Sequence, residues 1–591
     1  MKQFLLTMAG VFAGLMLFFI GVPILLLVSL ANSAKPAATP ADAVLNLDLR
    51  ETLADQDTQN PLAFLSGRSL SVISVVETLH RAETDNRVKG LLIRLPEGGM
   101  SPAAADELRL AVLSFRGHGK PVLAHSQGIY AEGVSTASYM LGAASSAFWM
   151  QPGSALQSVG IASSDTFLKR FFDKWQIHAD YQQRYEYKNA VNPYLYSDYT
   201  PAHREAELGW MTSVYQSELA QAAADRKQNP ARLRVTLEAG PYAAEDAAAR
   251  GLIDRVGQVE EAQAAIRKQA GGAELIDFAS YRSDAPKTAA FGGDSIAVIG
   301  AEGEIVTGTS RNGGLNGQTG VYSDDVAQAF HEAIDDKAVK AIVFRVSSPG
   351  GSDTASEQIL AGVRAARAAG KPVVVSMGTY AASGGYWISS EATEIVAEPT
   401  TLTGSIGVFG GKFALADALG HFGIDQRSLG VGGDFASAFS SGQQFTPSQT
   451  AQISAWMDHI YAGFVQRVAV GRKLSPDRVR EIAKGRVWTG EQARRLGLVD
   501  GLGGFYDAVR EAKRLAGLPP DQRVILKTLP ARKSMFDAFS HALGVSSASL
   551  KAVAASAWLL GDPRAQGLMD QLAHARLGPD GSTVLAPTPI R

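Results

Sequence analysis

The sequence predicts an α/β protein built from two tandem copies of one domain, and three observations carry that prediction. First, short stretches recur in order. Val88-Lys-Gly-Leu-Leu-Ile-Arg94 returns as Val339-Lys-Ala-Ile-Val-Phe-Arg345, Gly119-Lys120-Pro121-Val122 as Gly370-Lys371-Pro372-Val373, and Gly251-Leu252-Ile253-Asp254 as Gly497-Leu498-Val499-Asp500. The offset slides only from 251 residues (Val88 to Val339) to 246 (Gly251 to Gly497), which is duplication with a few loop deletions. A period this long repeats a whole domain and not the stacking unit of a solenoid. Second, each copy alternates short apolar runs with helix-like stretches, the pattern of strand and helix layered around a largely parallel sheet. Third, 46% apolar and 19% charged residues over 591 positions give an ordinary globular balance, with material for several domains and their cores.

In chain order, the first element is a membrane anchor. No residue from Phe4 to Ala34 is charged, and Phe4 to Leu30 is almost wholly apolar. That run exceeds the roughly 20 residues needed to cross a bilayer. Lys2 and the α-amino group precede it and favour a cytoplasmic N-terminus. The alternative is a cleaved secretory signal ending at Ala31-Asn32-Ser33-Ala34, but a signal core runs about 7 to 15 residues. The run therefore reads as an uncleaved signal anchor, and either way the bulk of the chain ends on the far side of the membrane.

Lys35 to Pro40 is a short linker, and Val44 to Leu49 alternates apolar with polar residues as a first strand. A helix over Ser71 to Arg81, a buried strand over Gly90 to Leu95, a helix over Ala103 to Phe115 and a strand over Pro121 to His125 follow. Beyond Pro201 the first copy turns helical to about Asn229, and a helix starting at Pro241 ends at Gly251. Ala270 to Pro286 is a polar joint. The second copy repeats the order with Ile296 to Val306, a helix Asp324 to Ile334, Ala341 to Val346, a helix Ala355 to Ala369 and Pro372 to Met377. Pro447 to Gly471 and Thr489 to Leu496 are its later helices. After about Ile525 nothing repeats; Ser534 to Leu543 and Ala565 to Leu577 fit amphipathic helices, and Gly578 to Arg591 is a loose tail. The domain reading is thus 1–35 stub and anchor, 36–270 first copy, 271–525 second copy and 526–591 extension.

Composition narrows the chemistry. A net charge of −2 gives no reason to expect a nucleic-acid partner. The absence of cysteine excludes disulfides, thiolate metal sites and a cysteine nucleophile. None of the ten histidines sits in a recognisable triad motif; His421, in Gly420-His421-Phe422, reads as a packed or surface residue.

The residues that carry chemistry are divided between the copies. Arg345-Val-Ser-Ser-Pro349-Gly350-Gly351-Ser352 follows a buried strand and precedes a helix, and its paired glycines let backbone N–H groups approach a ligand. The first copy keeps that turn as Pro96-Glu97-Gly98-Gly99, so it also has a structural role. One strand later, Tyr380-Ala-Ala-Ser383-Gly384-Gly-Tyr386 places a hydroxyl at the start of an apolar helical stretch. There Ser383 is either an N-cap or a nucleophile, with the N–H groups of Gly384 and Gly350 able to converge on one oxyanion. Its counterpart near Tyr130-Ala-Glu-Gly133 has no serine. A serine hydroxyl needs a base. Lys188, in Tyr187-Lys188-Asn189-Ala190 and set among Tyr181, Tyr185, Tyr187 and Tyr194, is the candidate, and its counterpart falls near Asp434. Desolvation there lowers an ammonium pKa toward neutrality, whereas a lysine that only snorkels over aromatic rings keeps its charge.

Tyr-Ala-Ala-Ser-Gly-Gly-Tyr, Ser-Pro-Gly-Gly-Ser, Leu402-Thr-Gly-Ser405-Ile-Gly407 and Tyr-Lys-Asn-Ala, with the duplication and the anchor, closely resemble bacterial signal peptide peptidase A in its long form. The resemblance spans about residues 4 to 525. It implies two tandem Clp protease/crotonase-like repeats and a Ser–Lys dyad that cleaves released signal peptides. It also implies a bowl-shaped homotetramer, held at the bacterial inner membrane by one N-terminal helix with its catalytic body on the periplasmic side. Carried over, Ser383 is the nucleophile, Lys188 the general base, and Gly384 and Gly350 the oxyanion donors. Ser405 can orient the lysine amine, although the first copy has a serine there too (Ser158). No metal or organic cofactor is called for. Two other readings remain open: a crotonase-like acyl-CoA enzyme, and a catalytically silent membrane scaffold in which Ser383 and Lys188 lie too far apart.

Overall fold

A computed structural model of the protein describes residues 39–57, 70–281, 293–310 and 320–530, with six scattered positions before residue 15. Met1–Asp57 and Leu70–Lys527 form one compact unit, so both repeats belong to a single body. Thr58–Ser69 and Thr528–Arg591 group separately and lie almost wholly outside the described residues, as do the predicted helices at 534–543 and 565–577 and the tail after them. The apolar stretch from Phe4 to Leu30 also falls mostly outside them. Among the described residues no helix is long and apolar enough to cross a membrane.

The first repeat runs β1 (Ala43–Asp48), α1 (Val72–Ala82), β2 (Val88–Arg94), α2 (Pro102–Gly117), β3 (Val122–Ser126), α3 (Ser135–Ala143), β4 (Ala147–Met150), β5 (His178–Arg184), α4 (Pro201–Asp225), β6 (Arg255–Val256) and β7 (Glu274–Asp277). Its sheet has the order β6-β4-β3-β2-β1-β7, and β1 to β4 pair in parallel. β2 and β3 are almost fully buried, which is why they read as continuous apolar runs without alternation. The predicted joint from Ala270 begins with β7, which extends this sheet beside β1 in the register Ala43 to Glu274. Four residues with a mixed, half-exposed pattern carry too little periodicity to be seen as a strand in the sequence.

The second repeat follows with β8 (Ser295–Glu302), α5 (Ser323–Asp335), β9 (Val339–Ser348), α6 (Asp353–Ala368), β10 (Val373–Ala382), α7 (Gly384–Ser389), β11 (Glu394–Ala397), β12 (Leu402–Gly404), β13 (Val408–Ala414), α8 (Pro447–Arg472), β14 (Val487–Thr489), β15 (Gly501–Leu502) and α9 (Phe505–Leu515). β14, β12, β10, β9 and β8 are neighbours in that order, and β11 joins β10 to β15. The run predicted from Ile296 to Val306 breaks at Gly303, whose φ is 98°. Glu304–Val306 leaves as a separate strand that meets the Pro-Gly-Gly turn through an Ile305–Gly351 bridge.

Two features bind the repeats. β5 of the first pairs antiparallel with β13 of the second, from Val408–Arg184 to Ala414–His178. Within β9, Arg345 is a buried cation: Nη2 and Nε donate to Asp55 at 2.6 and 3.0 Å, and Nη1 to Glu107 at 2.9 Å. Both carboxylates come from the first repeat. Removing one partner from such a buried set leaves uncompensated charge, at a cost of about 3–5 kcal/mol.

Candidate active site

Ser383 stands where β10 ends and α7 begins, with φ 54° and ψ −119°. A left-handed φ on a residue with a Cβ is strained, and such strand-to-helix elbows push a hydroxyl out of the backbone's plane. The elbow is held from both sides. Its own N–H donates to the Gly404 carbonyl at 2.9 Å, and three residues later the buried Tyr386 hydroxyl donates to the Leu498 carbonyl at 2.8 Å. The Pro-Gly-Gly turn packs directly on it: a Cβ at Gly350 (φ 113°) would fall 2.7 Å from the Gly384 nitrogen and 2.8 Å from Ser383 Cβ. Gly384 opens α7, so its N–H has no acceptor within the helix. The Gly350 N–H donates to Ser348 Oγ at 3.2 Å.

Lys188 reaches this elbow from the other repeat. It leaves the end of β5 and is only 4% exposed. Its Nζ lies 3.0 Å from Ser383 Oγ, 2.9 Å from Ser405 Oγ and 3.0 Å from the Ser405 carbonyl. Burial alone pushes its pKa down to about 7, because the charged form gives up its hydration there. The structure thus brings together all five residues singled out in the sequence: Ser383, Lys188, Ser405, Gly350 and Gly384.

What encloses the lysine differs from the aromatic setting expected. The nearby tyrosines make their ring contacts elsewhere: Tyr181 and Tyr194 with Phe413 at 5.1 and 5.2 Å, and Tyr185 with Tyr461 at 4.9 Å. Tyr187 donates its hydroxyl to Glu205 at 2.9 Å. The seat is instead backbone of the second repeat. A Cβ at Gly485 (φ 82°) would fall 2.5 Å from Lys188 Cβ, and Ser405, itself at φ 49°, closes the other side. Sequence reading missed Gly485. A lone glycine in Lys484-Gly485-Arg486 carries no signal until its packing partner, almost 300 positions away, is known.

The structure also locates the offset change between copies. Ile129 bridges Leu156 as Ala381 pairs with Thr403, while Tyr139 donates to the Leu252 carbonyl as Tyr386 does to that of Leu498. Nine residues separate Ile129 from Tyr139 and four separate Ala381 from Tyr386, so the copies differ at the elbow itself. Counted back from these tyrosines, Ser383 corresponds to Thr136. That residue lies inside α3, buried, with its hydroxyl donated to Glu218.

Peptidase family S49 matches residues 114–272 and 365–519, one stretch in each repeat. Protease 4 of Salmonella typhi is 34% identical over 525 residues, covering 85% of this chain and 83% of that protein. Protease 4 of Haemophilus influenzae is 30% identical, covering 86% of this chain and 85% of that one. The chloroplastic serine protease SPPA of Arabidopsis thaliana is 27% identical, covering 82% and 71%.

Proposed function

The chain belongs to peptidase family S49 and is a serine peptidase acting on peptide substrates, and we propose that Ser383 is its nucleophile and Lys188 its general base, in one site shared by the two repeats. The observation that carries this is the arrangement around Lys188 Nζ. A neutral amine has two N–H donors and one lone pair. Ser405 offers two acceptors at 2.9 and 3.0 Å, which occupies both donors and leaves the lone pair for the Ser383 hydroxyl, 3.0 Å away. The scaffold reading required these two residues to lie too far apart to react.

The reaction then runs in ordinary steps. Lys188 takes the Ser383 proton as Oγ attacks the peptide carbonyl carbon. The developing oxyanion lies against the Gly384 N–H and against that of Gly350, which exchanges Ser348 Oγ for the substrate oxygen. The Lys188 ammonium next gives its proton to the leaving amine as the C–N bond breaks. A water, deprotonated by the same amine, cleaves the acyl-enzyme and returns Ser383. No step needs a metal or an organic cofactor.

The peptides are released signal peptides and other extended apolar segments. The uncharged run from Phe4 to Leu30 anchors the protein in the bacterial inner membrane, with the catalytic body on the periplasmic side, as a homotetramer. The decisive experiment is fluorophosphonate labelling followed by peptide mapping. Modification at Ser383, lost in Lys188→Ala, is the expected result; modification elsewhere ends the dyad reading. Because the chain has no cysteine, single introduced cysteines report sidedness directly. Labelling of a body cysteine in intact spheroplasts by an impermeant maleimide supports the periplasmic assignment, and protection refutes it.

A further inference from the structure

We infer that Arg486 is a positioning residue for the general base: its side chain latches the segment bearing Lys188 to the segment bearing Ser405. The inference rests on the dyad reading above. Residues 484–486 form a wedge between the two segments. On one face the Tyr187 N–H donates to the Lys484 carbonyl at 3.2 Å; on the other, the Ser405 N–H donates to the Arg486 carbonyl at 2.7 Å and the Gly485 N–H to that of Ile406 at 2.9 Å. The Arg486 guanidinium then spans the seam. It lies 4.5 Å from the Trp488 ring of its own repeat and 4.9 Å from the Tyr187 ring of the other. Its Nη1 donates to Glu205 at 2.5 Å, and the other oxygen of Glu205 accepts the Tyr187 hydroxyl at 2.9 Å. One arginine therefore fixes the residue next to Lys188 and, through its own carbonyl, the residue that holds the amine.

Stacking matters here as much as charge. A planar guanidinium fits between two rings and still forks to a carboxylate, which an ammonium does not reproduce. The charged groups around the seat are Arg486, Glu205, Glu186 and Lys484, and they pair with one another, Lys484 with Glu186 at 2.9 Å. None supplies Lys188 with a counter-ion, and its pKa is lowered by burial alone. Loosening the latch admits water, and the lysine returns toward its ordinary value.

The test is the pH dependence of kcat/KM for an apolar peptide in the wild-type full-length protein and in Arg486→Ala, Arg486→Lys and Glu205→Gln. In Arg486→Ala the rising limb should move to higher pH by roughly one unit, with about fivefold loss at pH 7, substantial recovery by pH 9 and little change in KM. Arg486→Lys should fall between that variant and the wild type. Glu205→Gln, at a mostly exposed position, should shift the limb in the same direction by less. A purely structural role lowers activity equally at every pH. An unmoved limb in folded Arg486→Ala overturns the latch; should that variant fail to fold, an unmoved limb in Glu205→Gln does so. A wild-type profile already flat at pH 6 would instead remove the dyad reading on which the latch rests.

Discussion

The two elbows of this molecule share a scaffold and differ by five residues. In the second repeat the chain turns at once from strand to helix, and Ser383 is caught at a left-handed φ with its hydroxyl outside the helix. In the first, the extra residues let the chain fold back on the Pro-Glu-Gly-Gly turn. There Gly99, which corresponds to Gly350, donates its N–H to the Glu132 carbonyl at 2.5 Å. The amide that in one repeat donates to the Ser348 hydroxyl is tied in the other to the backbone of the lengthened elbow. Thr136 sits two residues past the N-cap Val134, inside α3 and bonded to buried Glu218. The lysine obeys the same logic in reverse. Lys188 lies twelve residues before Thr200, the N-cap of α4, and Asp434 twelve before Thr446, the N-cap of α8. Asp434 stays at home, accepting from the Thr446 hydroxyl at 3.1 Å, while Lys188 is carried across by β5. Each repeat has spent one half of a site on its own packing, so a working pair exists only across the seam.

Loss of either member of the pair should have the largest effect. Ser383→Ala and Lys188→Ala should each lower kcat/KM by about 10³- to 10⁴-fold, with unchanged thermal melting. Lys188→Arg should be as poor, since a guanidinium does not deprotonate. Residual turnover above a few per cent in Lys188→Ala would require another base. Equally, neither half expressed alone should cleave peptides, and a fully active second half would end the shared-site account.

Next in size is the seam itself. Arg345→Ala strands Asp55 and Glu107 as buried carboxylates, and we expect a loss of about 3–5 kcal/mol in unfolding free energy. Arg345→Met, which keeps volume but not charge, should behave similarly as long as both acids remain. Urea unfolding followed by tryptophan fluorescence measures both variants. A loss below about 1 kcal/mol would mean that the repeats are held together by other contacts.

Much of this was legible in the sequence. The duplication and the serine and lysine on opposite copies follow from the residues themselves, because short motifs and their spacing survive translation into structure. The seam did not follow. β5 is half-exposed along its whole length, so it lacks the alternation that marks a strand, and its partner is more than 200 residues away. Nothing in the sequence marks Arg345, Asp55 and Glu107 as a buried set, since charged residues are rarely buried unless paired, and pairing is a property of the fold. In the sequence the elbow register is legible only from the strand side, at Tyr130 to Gly133, because the buried tyrosine that fixes it from the helix side has meaning only once its carbonyl partner is known.

The pH profile tests the lysine directly. With its pKa lowered to about 7, Lys188 is active when neutral, so kcat/KM should rise through about pH 7 and level off above it. At pH 6 activity should be about tenfold below the plateau, as expected for one group titrating one unit higher. The sign excludes a carboxylate base, which would already be ionised at pH 6. Initial rates from pH 5 to 10 on an apolar peptide decide it, and a midpoint near 10 would mean that Lys188 is not enclosed as described.

The smallest expected effect is the most discriminating, because it sets two serines at matching positions against each other. Ser405 accepts two contacts from Lys188; Ser158 lies at the same place in the first repeat, buried, with no hydrogen-bond partner for its hydroxyl among the described residues. Ser405→Ala keeps the carbonyl but removes one of two acceptors, so the amine can rotate its lone pair away from Ser383. One hydrogen bond of this kind is worth about 1–1.5 kcal/mol, or about tenfold in kcat/KM. Ser158→Ala removes a hydroxyl with no partner among the described residues. Relieving a buried unsatisfied group costs no interaction and can stabilise the fold slightly, so activity should stay within about twofold of wild type and the melting temperature should hold or rise. Kinetics and melting of the two variants side by side suffice. Equal losses in both would mean that the serine belongs to the turn in each repeat and serves the lysine in neither.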